Sequence, residues 1–225
     1  AKLFKKIANK PFMCLTTAPS VTVRRAELLA EMGCLQVNMG LESGNETYRK
    51  EVLGRPNMTN EKIIFAFNQM KKNNIITSSY NMIGMPWQSR DSIEETITLN
   101  RLAKPDYVNV SIFIPFEGTS LLQRLRKEGY VGDDLILGDE SRATLNVPSD
   151  MSLDEIDRLH KVFTLYCKVP DSVMNDVKFY ESNPEKYMNE ITILQKKYLA
   201  FESQLPLALN KGLQDKMPMS HNSTV

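Results

Sequence analysis

The chain has 225 residues, with 28 Lys plus Arg against 27 Asp plus Glu, a net charge of +1. Hydrophobic residues make up 42% and charged residues 24%, ordinary proportions for one globular domain or one domain with a small appendage. The near-neutral balance gives no bulk electrostatic reason for a nucleic-acid or membrane surface, and three widely spaced cysteines, Cys14, Cys34 and Cys167, exclude a disulfide scaffold and a CxxC-type metal site. A reduced, cytoplasmic setting is expected, and no apolar run is long enough for a transmembrane helix. The chain opens at Ala1 directly in amphipathic helical sequence, which reads as a fragment of a longer protein.

Along the chain, strand-like and helix-like runs alternate. Residues 11–17 predict a strand, and 22–32 a helix closed by Gly33. Residues 34–41 alternate as a strand, Asn45 caps a short helix over 46–53, and Thr59 or Asn60 caps a helix over 60–73 with Ile63, Ile64, Phe67 and Met70 on one face. A strand at 75–83 ends in Gly84-Met85-Pro86. Asp91 with Glu94 predicts a capping box for a helix over 92–103. A strand at 107–114 and a helix at 119–128 complete the series. Strand–helix alternation with crossovers of this length implies parallel βαβ units, hence an α/β fold.

Beyond residue 130 the pattern changes. Residues 131–150 read as a long loop, Ser152 and Glu155 form a capping box for a helix over 153–167, and further helices follow at about 171–180 and 184–204. The division expected is an α/β part over 1–130, a helical extension over 131–210 and a disordered tail over 211–225.

The strand faces carry the functional argument. A step of two groups Gln36, Asn38, Gly40 and Glu42 opposite Leu35, Val37, Met39 and Leu41. It likewise groups Thr77, Ser79 and Asn81 opposite Ser78, Tyr80 and Met82, and Asn109 with Ser111 opposite Val108, Val110, Ile112 and Ile114. Parallel strands covered on both faces by helices read as apolar throughout. Here one face of each strand is polar and small, which fits either a wet sheet face or the wall of a ligand-filled lumen. The intervening helices favour the lumen, with its chemistry at the carboxyl ends of the strands. Glu42 and Asn81 lie there, and the sequence GLESG places small residues around the carboxylate. Glu42 can accept two hydrogen bonds from a diol, and Arg55 is a planar donor suited to a carboxylate or phosphate. The alternative is that Glu42 and Arg55 pair with each other or sit on the surface. A role as a base in a complete α/β enzyme is a further alternative for Glu42. His160 and His221 have no partners at metal-ligand spacing, so no metal site is assigned.

GLESGNETYRKEVLGR at 40–55, SSYNMIGMP at 78–86 and NVSIFIPFEGTSLLQRLRKEGY at 109–130 together resemble the radical S-adenosylmethionine superfamily. With CLTTAPSVTVRRAELLAEMGCLQVNM before them, they look most like its cobalamin-binding-domain-containing branch. The resemblance implies the carboxyl-terminal part of a partial (β/α) barrel, with about four of its parallel strands here, followed by the helical extension. It implies S-adenosylmethionine as cofactor, held by Glu42, Ser43, Arg55, Ser79 and Asn81, for 5′-deoxyadenosyl radical chemistry on a small-molecule or lipid-like substrate. Cobalamin-dependent methyl transfer to carbon is one outcome it suggests. A 4Fe–4S cluster is implied too, but the family's CxxxCxxC loop is absent from this sequence. Its ligands, and any cobalamin-binding part, are therefore expected outside the chain, which alone is expected to be inactive. Pro86-Trp87-Gln88-Ser89 also departs from the family's Pro-Gly-Glu-Thr. The rival reading is a noncatalytic, degenerate half-barrel that binds a partner or ligand.

Overall fold

The computed structural model describes residues 1–8, 10–132 and 147–199. Four parallel strands, β1 (Phe12–Thr16), β2 (Cys34–Glu42), β3 (Ile76–Ile83) and β4 (Tyr107–Ile112), form one sheet in sequential order. Helix α1 (Lys2–Ile7) precedes them, α2 (Val23–Met32) joins β1 to β2, and α3 (Glu46–Glu51) and α4 (Asn60–Lys72) join β2 to β3. Helix α5 (Arg90–Ala103) joins β3 to β4, and α6 (Ser120–Lys127) follows the last strand. The extension holds α7 (Leu153–Lys168), α8 (Met174–Glu181) and α9 (Met188–Tyr198). Most of the loop expected over 131–150, the end of the helix expected to reach 204 and the tail over 211–225 lie outside the described residues.

Local chemistry accounts for the helix boundaries. Thr22, Asn45, Thr59 and Thr119 each accept a backbone N–H at the start of a helix, and Gly33 closes α2 in the left-handed region. Ser152 and Glu155 form the expected capping box on α7. Helix α5 departs from expectation. Its cap is Ser89, which accepts from the Ser92 N–H at 3.2 Å, and Asp91 instead lies in the first turn, where its charge complements the helix dipole.

Register shows which strand faces meet the helices. Cys14 pairs with Val37, Val37 with Thr77, Met39 with Ser79, and Asn81 with Val110, so these side chains share one side of the sheet. On that side Val37, Met39 and Leu41 join Ala26 of α2 and Ile63, Ala66, Phe67 and Met70 of α4 in one apolar cluster. Val108, Val110 and Ile112 pack into a second cluster with Ile93 of α5 and Leu159, Val162, Phe163 and Tyr166 of α7. The helical extension therefore shares its core with the end of the sheet. Arg90 of α5 clamps it further, pairing bidentately with Glu181 of α8, which also accepts from Tyr166 Oη at 2.5 Å.

The opposite side carries Met13 and Leu15 of β1, Gln36, Asn38 and Gly40 of β2, Ser78, Tyr80 and Met82 of β3, and Asn109 and Ser111 of β4. Among the described residues, Met82 at its carboxyl end packs against the cluster that includes Leu122 and Leu125 of α6, while the rest is left open: Leu15 is 82% exposed and Tyr80 41%. Sequential strand order with the crossover helices on a single face is the arrangement of a barrel segment, not of a doubly wound sheet. A third cluster, with Tyr48, Met85, Phe113, Leu122 and Leu125, closes the carboxyl ends of the strands. No described helix is long and apolar enough to cross a membrane.

Candidate functional site

The carboxyl end of β2 is irregular. Gly40 pairs with Tyr80 but Glu42 pairs with Asn81, so one residue bulges, and Glu42 adopts the left-handed region at φ 65°. The turn delivers the carboxylate to the uncovered side of the sheet, over Gly40, where a Cβ would collide with Glu42 Oε1. Arg55 Nη1 donates to that oxygen at 3.1 Å. The Glu42 side chain is 17% exposed and the Arg55 side chain 43%. The two residues singled out in the sequence are thus brought together as an ion pair at the rim of the open face, the mutual pairing that the sequence offered as the alternative to a ligand role. One Arg55 nitrogen is engaged by the carboxylate, and the remaining guanidinium donors lie within reach of solvent.

Arg49, which the sequence reading did not single out, builds this rim. It is fully buried. Its Nε donates to Met58 O at 2.9 Å, Nη2 to Asn60 Oδ1 at 2.5 Å, and Nη1 to Ser43 O. Burial lowers its pKa. Asn60 Nδ2 in turn donates to Gly44 O at 3.1 Å, and the Arg55 N–H to Arg49 O at 2.8 Å. One guanidinium therefore pins the turn after β2 to the loop that carries Arg55. Helical periodicity gives no signal for it, because its partners are two backbone carbonyls and the Asn60 side chain in the segments on either side of α3.

Ser43 is fully buried, and its Oγ accepts from the Asn45 N–H at 3.3 Å. Beside it Gly44 presses so closely on α5 that a Cβ would collide with the backbone of Glu95 and Thr96. Its N–H donates to Thr96 Oγ1 at 2.8 Å. Ser43 shapes the turn from beneath the surface.

The expectation that Ser79 and Asn81 face the lumen is corrected: both side chains turn towards α5. Ser79 Oγ donates to Asn100 Oδ1 at 2.7 Å, Asn100 Nδ2 donates to Asn81 Oδ1 at 2.8 Å, and Asn81 Nδ2 reaches Asn109 O at 2.8 Å. Asn100 also donates to Thr96 O at 2.9 Å. The network is buried and internally paired, which offsets the cost of placing polar groups between sheet and helix. Thr96 and Asn100, four apart on α5 among Ile93 and Ile97, are the sequence signal for it. Ser78 and Tyr80 are the β3 residues of the open face.

The Gly84–Pro86 turn is held from below by Tyr48 Oη, which donates to Pro86 O at 2.6 Å. Trp87 stands at φ 57° with its indole beneath the Arg124 guanidinium, 3.8 Å from the ring centroid, and edge-on to Tyr130. It is part of the wall at the strand ends.

The cysteines lie elsewhere. Cys14 and Cys34 meet on the helix side with their sulfurs 3.9 Å apart, and Cys167 is buried in the second cluster. Burial, with a smaller contribution from Cys14, pushes the Cys34 thiol up to about 12, and burial also raises Cys167. Such thiols are poor metal ligands. Among the described residues no group of three His, Cys, Asp or Glu side chains could hold a metal ion. The residues present do not fit a 4Fe–4S cluster.

Fold and site together define a parallel α/β domain, a barrel segment with a carboxylate–guanidinium pair at the carboxyl end of its second strand. Residues 1–100 match the model of the Radical SAM superfamily. Among solved structures the chain is similar to an archaeal Methanocaldococcus infernus Elp3 lacking its N-terminus, at 22% identity and a TM-score of 0.47 over 53% of this chain and 28% of that one. It is also similar to coproporphyrinogen III oxidase, HemN, from Escherichia coli, described as a radical SAM enzyme, at 17% identity and a TM-score of 0.46 over 61% of this chain and 32% of that one. The chain thus spans about a third or less of the length of either structure. No curated protein matches the sequence.

Proposed function

We propose that this chain is the part of a radical S-adenosylmethionine enzyme that holds S-adenosylmethionine at the carboxyl ends of its strands. The observation that carries this reading is the Glu42–Arg55 pair, set over Gly40 on the uncovered face of the sheet. The match of residues 1–100 to the superfamily supports it. The site residues suit the cofactor. A carboxylate beside solvent accepts hydrogen bonds from two ribose hydroxyls, and a guanidinium with unengaged donors takes the methionyl carboxylate through paired N–H···O bonds. S-adenosylmethionine supplies radical chemistry when bound beside a reduced 4Fe–4S cluster. The chain's own part is to orient the cofactor, with Arg49 fixing the loop that presents Arg55 and Tyr48 fixing the Gly84–Pro86 turn.

Since the cysteines of this chain are turned into its core, the cluster ligands come from sequence outside it, and the chain alone is without activity. Methyl transfer to carbon with cobalamin is the finer outcome proposed for the parent protein, on the resemblance of residues 14–39. Calorimetric titration with S-adenosylhomocysteine tests the central claim. Glu42→Gln and Arg55→Leu each weaken binding at least about tenfold, a loss near 1.4 kcal/mol. Unchanged affinity in both variants overturns the assignment.

A further inference from the structure

The floor of the open face has a chemistry of its own. Glu42, at the rim, is the single charged residue in the four strands. Below it lies a row of neutral hydrogen-bonding side chains. Gln36 Nε2 donates to Asn38 Oδ1 at 2.8 Å, and Asn109 Nδ2 donates to Ser78 Oγ at 2.6 Å. Register sets Asn38 beside Ser78 and Tyr80 beside Asn109, so the row crosses three strands. Within it Gln36 Oε1, Asn38 Nδ2 and Asn109 Oδ1 take no partner among the described residues. The Tyr80 ring, 41% exposed, stands in the same row.

A sheet face built for bulk water carries long charged side chains, which also guard against association. A face built for helices is apolar. This floor is neither: it offers spaced amide donors and acceptors beside an aromatic ring, with no charge to pair an ion. A charged group brought against it would lose its hydration and gain no counter-ion, whereas a hydroxyl or amide exchanges water hydrogen bonds for equivalent ones. We infer that this floor is the substrate subsite, and that it takes an uncharged, hydroxyl- and amide-bearing group, such as a neutral sugar ring, read by Gln36, Asn38, Tyr80 and Asn109. The inference rests on the cofactor reading only for the word substrate; the subsite stands on the row itself.

Nuclear magnetic resonance of the 225-residue chain tests it, with N-acetylglucosamine and glucuronate as the neutral and anionic probes and S-adenosylhomocysteine titrated in parallel. N-acetylglucosamine is expected to shift the side-chain amide resonances of Gln36, Asn38 and Asn109 in the millimolar range, and glucuronate, titrated into Arg55→Leu so that no guanidinium takes its carboxylate, to shift them at least about tenfold more weakly. Asn109→Leu and Asn38→Leu, each on the surface side of the sheet, raise the apparent Kd for N-acetylglucosamine by a similar factor. No shift with the neutral probe, or equal shifts with the anion, overturns the inference. If the sugar moves these amides and S-adenosylhomocysteine moves nothing near Glu42 and Arg55, the subsite stands and the cofactor reading falls. The reverse pattern keeps the cofactor reading and sinks the subsite.

Discussion

Gly40 and Glu42 are coupled by exclusion: the carboxylate of one occupies the space that a side chain on the other would fill. The obstruction is the far end of a flexible side chain, so an alanine at Gly40 moves the carboxylate and leaves the backbone in place. Gly40→Ala is expected to fold with stability within about 1 kcal/mol of the parent while weakening S-adenosylhomocysteine about tenfold. Paired thermal melts and calorimetric titrations check this. A variant that binds as tightly as the parent would show that the pair is not the contact.

Arg49 ties two loops and the first residue of α4 together through one guanidinium, and removing it strands the carbonyls of Ser43 and Met58 away from water. Arg49→Met is expected to cost about 3 kcal/mol or more. Arg49→Lys recovers part of that loss, because an ammonium reaches fewer of the acceptors. Urea denaturation measures both. A neutral Arg49→Met would mean the loops find other partners.

Ser79 and Asn100 separate the two faces of β3 experimentally. Ser79→Ala removes a hydrogen bond between sheet and helix and is expected to lower stability by about 1 kcal/mol, with S-adenosylhomocysteine affinity unchanged. Asn100→Leu leaves Ser79 and Asn81 both short of a partner and costs about 2–3 kcal/mol. Loss of affinity in a fully folded Ser79→Ala protein would return Ser79 to the ligand side.

The cap of α7 gives the acid side of the stability curve a definite sign. The backbone N–H of Ser152, and then its hydroxyl, hold the Glu155 carboxyl below its ordinary value. A folded pKa below the unfolded one adds stability that is fully present above the unfolded value and fades as pH falls through the folded one. Glu155→Ala is therefore less stable than the parent at pH 7, and the gap closes on acidification below about pH 4. Thermal melts from pH 7 to pH 3 follow it. A gap constant with pH would remove Glu155 as its source.

Much of this was legible in the sequence, for identifiable reasons. In β2 the apolar run Val37, Met39 and Leu41 contrasts with Gln36, Asn38 and Gly40, and contrast of that kind tells which face a helix covers. In β3 both faces are polar, so alternation grouped Thr77, Ser79 and Asn81 correctly but could not say on which side they lie. Asn100 on α5, which satisfies Ser79 and Asn81, supplied the missing information. Capping residues were visible where the side chain bonds two or three residues ahead, as at Ser152 and Asn45. Arg49 escaped notice because its bonds run to carbonyls that come together only when the loops fold.

The left-handed backbone at Glu42 sets stability against binding at a single position. A side chain held there costs about 1 kcal/mol that glycine would not, and glycine would also abolish the carboxylate. Selecting variants of this chain for thermal robustness alone would drift towards Glu42→Gly, enriching well-folded proteins that have lost the group on which the proposed chemistry depends.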